Sequence, residues 1–133
     1  MFIVFEGLDR CGKSTQTQKL VDYLQSKGRE CQKINYPNRQ SQSGQLLDQY
    51  LKNKVGDGMG NEAVHLLFTM NRWEMKKEVQ DTLESGTDIV CDRYSYSGCA
   101  YSVAKGLDFD WCCGAERGLI LPDLVIYFDI TAQ

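Results

Sequence analysis

Residues Gly7-Leu8-Asp9-Arg10-Cys11-Gly12-Lys13-Ser14 fit the pattern GxxxxGK(S/T), and they lie between two recognisable elements. Before them, Met1 to Phe5 is a continuous apolar run that ends at Glu6-Gly7, the pattern of a buried strand in a parallel sheet. After them, Thr17 to Lys27 is rich in straight-chain helix formers, with Leu20 and Leu24 on one face and Gly28 at the stop. Strand, glycine loop and helix in this order aim backbone N–H groups and the positive end of a helix dipole at one point, where a phosphate can be held. Lys13 is then expected to bridge the β and γ oxygens of ATP, and Ser14 to set its hydroxyl on Mg²⁺. Thr15 completes the candidate ATP site that starts at Gly7.

Outward from the loop, Glu30 to Tyr36 reads as a second strand stopped by Pro37. Leu46, Leu47, Tyr50 and Leu51 suggest a short helix, and Val55 to Gly60 a glycine-rich loop. Asn61 is expected to cap one long helix carrying Val64, Leu67, Phe68, Met75, Val79 and Leu83, with Gly86 after its end. Ile89 to Cys91 is a further buried strand, ending at Asp92. A helix from Ser95 to Lys105, a turn around Trp111 and a last strand, Leu124 to Phe128, follow. The alternation predicts an α/β fold of the P-loop three-layer type, a parallel sheet flanked by helices, in one domain over residues 1–133. A last strand with no helix after it leads to the expectation that the domain is truncated at its C-terminal end.

Composition narrows the function classes. Hydrophobic residues are 42% and charged residues 25% of the 133, which excludes disorder as the main state. No apolar run approaches the roughly 20 residues of a membrane span, and Glu6 interrupts any secretory core after five residues. A cytoplasmic location, extending also to the nucleus, is expected. The six cysteines lack framework spacing, so reduced thiols are expected, with Cys91, Cys99, Cys112 and Cys113 as small apolar fillers. With His65 as its single histidine the chain lacks ligands for a zinc cage. A net charge of -3 gives no general field for nucleic acid, so phosphate must be met by a few placed cations.

Asp92 ends a buried run at the carboxyl edge of the sheet, where open α/β proteins place ligands, and there it is expected to hold Mg²⁺ through water. Asp129 after the last strand is its rival. Arg93, a cation beside Asp92, favours the first.

Five stretches together resemble one family. Glu6 to Gln16, Tyr36-Pro37-Asn38-Arg39, His65-Leu66-Leu67-Phe68 with Asn71-Arg72-Trp73-Glu74, Asp92-Arg93-Tyr94-Ser95-Tyr96-Ser97-Gly98, and Leu121-Pro122-Asp123-Leu124-Val125 look like thymidylate kinase of the eukaryotic and viral type. The resemblance implies transfer of the γ-phosphoryl group of ATP to dTMP, giving dTDP and ADP for dTTP synthesis. It implies catalytic roles for Arg10, Lys13, Asp92 and Arg93. It implies a dTMP site in which Asp9 meets the sugar 3′-hydroxyl, Arg39 clamps the phosphate and Arg93 aligns acceptor with donor. Phe68 would stack on thymine, and Arg72, four residues on and on the same helical face, would hydrogen-bond its O4. Tyr101 would lie beside the sugar, with core packing the competing reading, and Trp73 is read as core. A homodimer is also implied.

The family's lid, a further strand and an adenine-holding loop and helix have no counterpart in these residues. Alternatives are another P-loop nucleoside or nucleotide kinase, and a truncated nucleotide-binding remnant without turnover. A GTPase-like switch would carry NKxD, which does not occur in the sequence.

Overall fold

A computed structural model describes residues 1–52 and 58–130. Four parallel strands run β1 (Phe2–Gly7), β2 (Cys31–Asn35), β3 (Asp88–Asp92) and β4 (Leu124–Phe128), in the spatial order β2-β3-β1-β4. Six helices connect them: α1 (Lys13–Ser26), α2 (Gln42–Leu51), α3 (Asn61–Glu74), α4 (Lys76–Glu84), α5 (Ser95–Ala104) and α6 (Phe109–Gly114).

The central pair β1 and β3 is apolar without alternation because both of its faces are covered. Side chains alternate between the faces. Phe2, Val4, Ile89 and Cys91 pack with Tyr36, Met75, Val79, Tyr94 and Leu119 on one side. Ile3, Phe5 and Val90 pack with Val21, Leu24 and Cys31, mostly under α1, on the other. Register pairs Phe5 with Asp92 and Gly7 with Phe128, so loop, Asp92 and the end of β4 share the carboxyl edge of the sheet. Asp123, from the Leu121 to Val125 stretch, pins β4 to β1. Its carboxylate accepts from Phe2 N at 2.7 Å, and its own N–H donates to Phe2 O at 2.8 Å.

Several expectations change. Helix α1 begins at Lys13, four residues before the expected Thr17, so Lys13, Ser14 and Thr15 form its first turn. The expected long helix is two, α3 and α4, meeting at Met75, and Asn61 is the first helical residue with Gly60 in the cap position. Two helices replace one because they cover different surfaces. The buried residues of α3, among them His65, Thr69 and Arg72, face a polar site, whereas Met75 and Val79 cover the sheet. Residues Phe109 to Gly114 form a helix rather than a turn, capped by Asp108, whose carboxylate accepts from Trp111 N at 2.8 Å. The expected loop from Val55 to Gly60 lies partly outside the described residues.

Candidate active site

The phosphate loop is shaped by its backbone. Gly12 holds φ 89° and Gly7 φ 150°, and a Cβ on Gly7 would stand 3.0 Å from Phe128 O, so that position must be glycine for β4 to lie alongside. Arg10 at φ 61° and Arg93 at φ 68° are non-glycine residues in the left-handed region. Such backbone costs on the order of 1 kcal/mol and clusters at functional sites, which is where these two arginines stand.

Two adjoining cavities open at this edge. The smaller, about 380 Å³, is lined by Asp9, Arg10, Gly12, Lys13, Ser14, Thr15, Asp92 and Arg93. Gly7, Leu8 and Cys11 of the expected ATP site do not line it. Leu8 supplies its carbonyl to Lys13 Nζ at 2.5 Å, and the Cys11 thiol is buried beneath the loop, 3.6 Å from the same ammonium. Ser14 Oγ donates to Asp92 Oδ2 at 2.5 Å, joining the first turn of α1 to the end of β3. Asp129 is exposed and lines neither cavity, so of the two strand-end acids only Asp92 borders the loop.

The larger cavity, about 610 Å³, takes in Asp9, Arg39, Phe68, Arg72, Arg93 and Tyr101, the six residues expected to meet dTMP. Asp9, Ser14, Asp92 and Arg93 line both cavities and mark where they meet. Arg93 is held from three directions. Nη2 donates to Asp9 Oδ1 at 2.6 Å, Nη1 to Ser97 Oγ at 3.0 Å, and the guanidinium carbon lies 5.5 Å from the Tyr101 ring centroid. Tyr101 is thus a half-exposed wall of the cavity and not core. Trp73 also departs from the core reading: it is 38% exposed, donates its indole N–H to Ala115 O and carries Lys76 over its ring.

The cations of the large cavity differ in how firmly they are held. Arg39 pairs with Asp48 at 2.9 Å and Arg93 with Asp9, both with solvent-exposed partners or side chains. Such pairs are worth about 0–1 kcal/mol and exchange easily for a ligand anion. Lys52 and then Arg39 hold the Asp48 carboxyl below its ordinary range. Arg72 is different. Its side chain is 3% exposed, that of Glu116 7%, and they form a two-pronged pair, Nε to Oε2 at 2.8 Å and Nη2 to Oε1. Breaking a buried pair of this kind costs roughly 3–5 kcal/mol.

The carboxyl-edge strands and the loop in the order β2-β3-β1-β4, with these cavities above them, agree with the sequence comparison. The family model for thymidylate kinase matches residues 5–133. The chain belongs to the thymidylate kinase family. It is 46% identical over 134 residues to the thymidylate kinase of Dictyostelium discoideum, covering 100% of this chain and 60% of that protein. It is 48% identical over 130 residues to the thymidylate kinase of Plasmodium falciparum, covering 97% and 61%. The solved thymidylate kinase of Candida albicans matches with a TM-score of 0.84 at 36% identity, over 96% of this chain and 61% of the other. The chain therefore spans about 60% of the length of the thymidylate kinases it matches.

Other residues around these cavities escaped the sequence reading. Glu6 is buried, accepts from Tyr94 N at 2.9 Å and Ser97 N at 3.2 Å, and takes the Ser97 hydroxyl as well, so it anchors the start of α5. Its signal was available, since a carboxylate closing a fully buried strand needs donors. Asn71 ties α3 to the Arg39 loop, accepting from Asn38 N at 2.7 Å and donating to Asn38 O at 2.8 Å. His65 is fully buried between Ser102 Oγ at 2.6 Å and Cys112 O at 3.2 Å, where it braces α3 against α5 and α6. No local pattern announces Glu116, which lies 44 residues from its partner Arg72.

Proposed function

We propose that the chain carries the acceptor site and phosphate loop of a dTMP kinase, transferring the γ-phosphoryl group of ATP to dTMP to give dTDP and ADP in dTTP biosynthesis. One observation carries this reading. A cavity lined by Phe68, Arg72, Tyr101 and Arg39 opens onto the phosphate loop through Asp9 and Arg93. A base, a sugar and a phosphate need an aromatic face, hydrogen-bonding groups and cations, and the cavity lining holds all three and adjoins the loop.

The chemistry asks mainly for positioning and charge stabilisation. Phe68 stacks on the base, and Arg72 donates to it from the deep end. Asp9 accepts the sugar 3′-hydroxyl. Arg39 exchanges Asp48 for the acceptor phosphate. Lys13, now folded onto Leu8 O, exchanges that carbonyl for the β and γ oxygens, and Arg10 reaches the transferred group. Arg93, common to both cavities, aligns the two phosphates for in-line attack by the acceptor oxygen.

Ser14 Oγ and Asp92 Oδ2 are hard oxygen donors side by side, the type that suits Mg²⁺, and Mg²⁺ arriving with ATP would be held there, Asp92 acting through water. Bound there, the ion would offset negative charge on the phosphate oxygens. Residues 1–133 act in this reading as one kinase domain, working as a homodimer in the cytoplasm and the nucleus, with neither nucleic acid nor membrane as partner.

An ADP-release assay across the nucleoside monophosphates tests the assignment. dTMP is expected to support the fastest release, and equal rates with dCMP or UMP would refute it.

A further inference from the structure

Arg72 is the only one of the described cavity arginines whose partner is buried with it. Glu116 occupies Nε and Nη2, and Thr69 Oγ1 donates to Glu116 Oε1 at 2.6 Å, which fixes the carboxylate in turn. Gly98 of α5 closes over the guanidinium: a Cβ there would lie 2.8 Å from Arg72 Cζ, so only glycine leaves room. Nη1 is the nitrogen of Arg72 with no protein acceptor among the described residues, and it is not a buried orphan.

This setting decides what Arg72 can recognise. The Glu116 charge cancels its own, so the deep end of the cavity has little pull on a phosphate, unlike Arg39 and Arg93, whose pairs are exposed. A guanidinium also donates and never accepts, so its one outward edge matches a neutral acceptor such as a ring carbonyl and opposes an amino group. We propose that Glu116 is a positioning residue for acceptor choice. It locks Arg72 as a charge-neutralised donor, and that lock makes the cleft prefer a pyrimidine with a carbonyl at the deep end over one with an amino group. The proposal rests on the dTMP reading of the cleft and adds to it a residue outside the cavity lining.

The test is the ratio of dissociation constants for dCMP and dTMP, measured by titration calorimetry on the full chain. A ratio does not depend on the folded fraction, so a purely structural role would leave it unmoved. Glu116→Gln keeps size but sets an amide N–H₂ against the Arg72 donors, and is expected to lower the ratio about tenfold or more through weaker dTMP binding. Glu116→Asp, which keeps the charge, is expected to restore part of it. Gly98→Ala crowds the guanidinium and shifts Arg72 out of its lock while leaving Glu116 itself unchanged, is expected to act like Glu116→Gln, and decides whether the locked placement of Arg72 sets the ratio where the glutamine variant fails to fold. Asp88→Asn, which removes a remote buried carboxylate, is expected to keep the wild-type ratio. A wild-type ratio in Glu116→Gln or Gly98→Ala would overturn the role of Glu116 alone. A wild-type chain with no preference for dTMP would overturn the dTMP reading and this proposal with it.

Discussion

Arg93 Nη2 donates to Asp9 Oδ1 at 2.6 Å, joining the end of β3 to the phosphate loop at the point where the two cavities meet. Ser97 and the Tyr101 ring are its other neighbours, so Arg93 is aimed jointly by the phosphate loop and by α5.

Arg93 separates stability from function. Its φ of 68° suits glycine, so Arg93→Gly relieves backbone strain while adding unfolded-state freedom, and the two effects are each about 1 kcal/mol. Chemical denaturation should find stability within about 1 kcal/mol of wild type, and phosphoryl transfer reduced by about 10³-fold. A variant that unfolds at much lower denaturant would show that Arg93 is chiefly structural.

Gly44 in α2 packs against the Arg39 loop, where a Cβ would meet Arg39 Cα at 2.8 Å and overlap the Asn38 carbonyl. Backbone cannot swing aside as a side chain can. Gly44→Ala should cost about 1–3 kcal/mol and raise KM for dTMP more than KM for ATP, as seen in thermal melts and initial rates. An unchanged KM for dTMP would remove Arg39 from the acceptor site.

Asp88 sets an acid limb. Arg29 Nε at 2.5 Å and the Met1 amino group at 2.9 Å hold its carboxyl down to about 2 from 3.8. A depressed carboxylate stabilises the fold above its unfolded value and loses that contribution as pH falls through its folded one. The wild type should therefore lose roughly 2 kcal/mol between about pH 4 and pH 2 that Asp88→Asn never had. Denaturation curves of the two that stay parallel across that window would contradict the pairing.

Cys99 and Cys113 stand 3.5 Å apart, sulfur to sulfur, and burial, with the Cys113 sulfur beside it, pushes the Cys99 thiol well above its ordinary range. At neutral pH its thiolate fraction is then far below that of an ordinary cysteine, and iodoacetamide should label it slowly in the native protein. Labelling at the rate of a free thiol, followed by mass spectrometry, would show the site to be open.

The fold was legible wherever local pattern and global layout agree. The apolar run before the loop, the Asp92 strand end and the final strand are each buried or paired in the way their composition indicates. The phosphate loop was legible because its chemistry is contiguous from Gly7 to Thr15. The helix break at Met75 was not, since both halves keep helical spacing and only the two surfaces they cover differ. Trp73 misled because large aromatics usually pack inside, and here its ring caps a helix contact, whereas Tyr101, expected beside the sugar, does wall the cavity under a guanidinium. Glu116 was beyond reach because what matters about it is a pairing made across the fold.

Acceptor choice by the cleft is read in a single-turnover experiment, with the chain in excess over ATP labelled in the γ-phosphate and each nucleoside monophosphate supplied in turn. Label should move to dTMP at least about 100-fold faster than to dCMP or UMP, and Lys13→Met should abolish the transfer. Equal transfer to all three acceptors, or label released only to water, would show that the cleft is not a dTMP acceptor site.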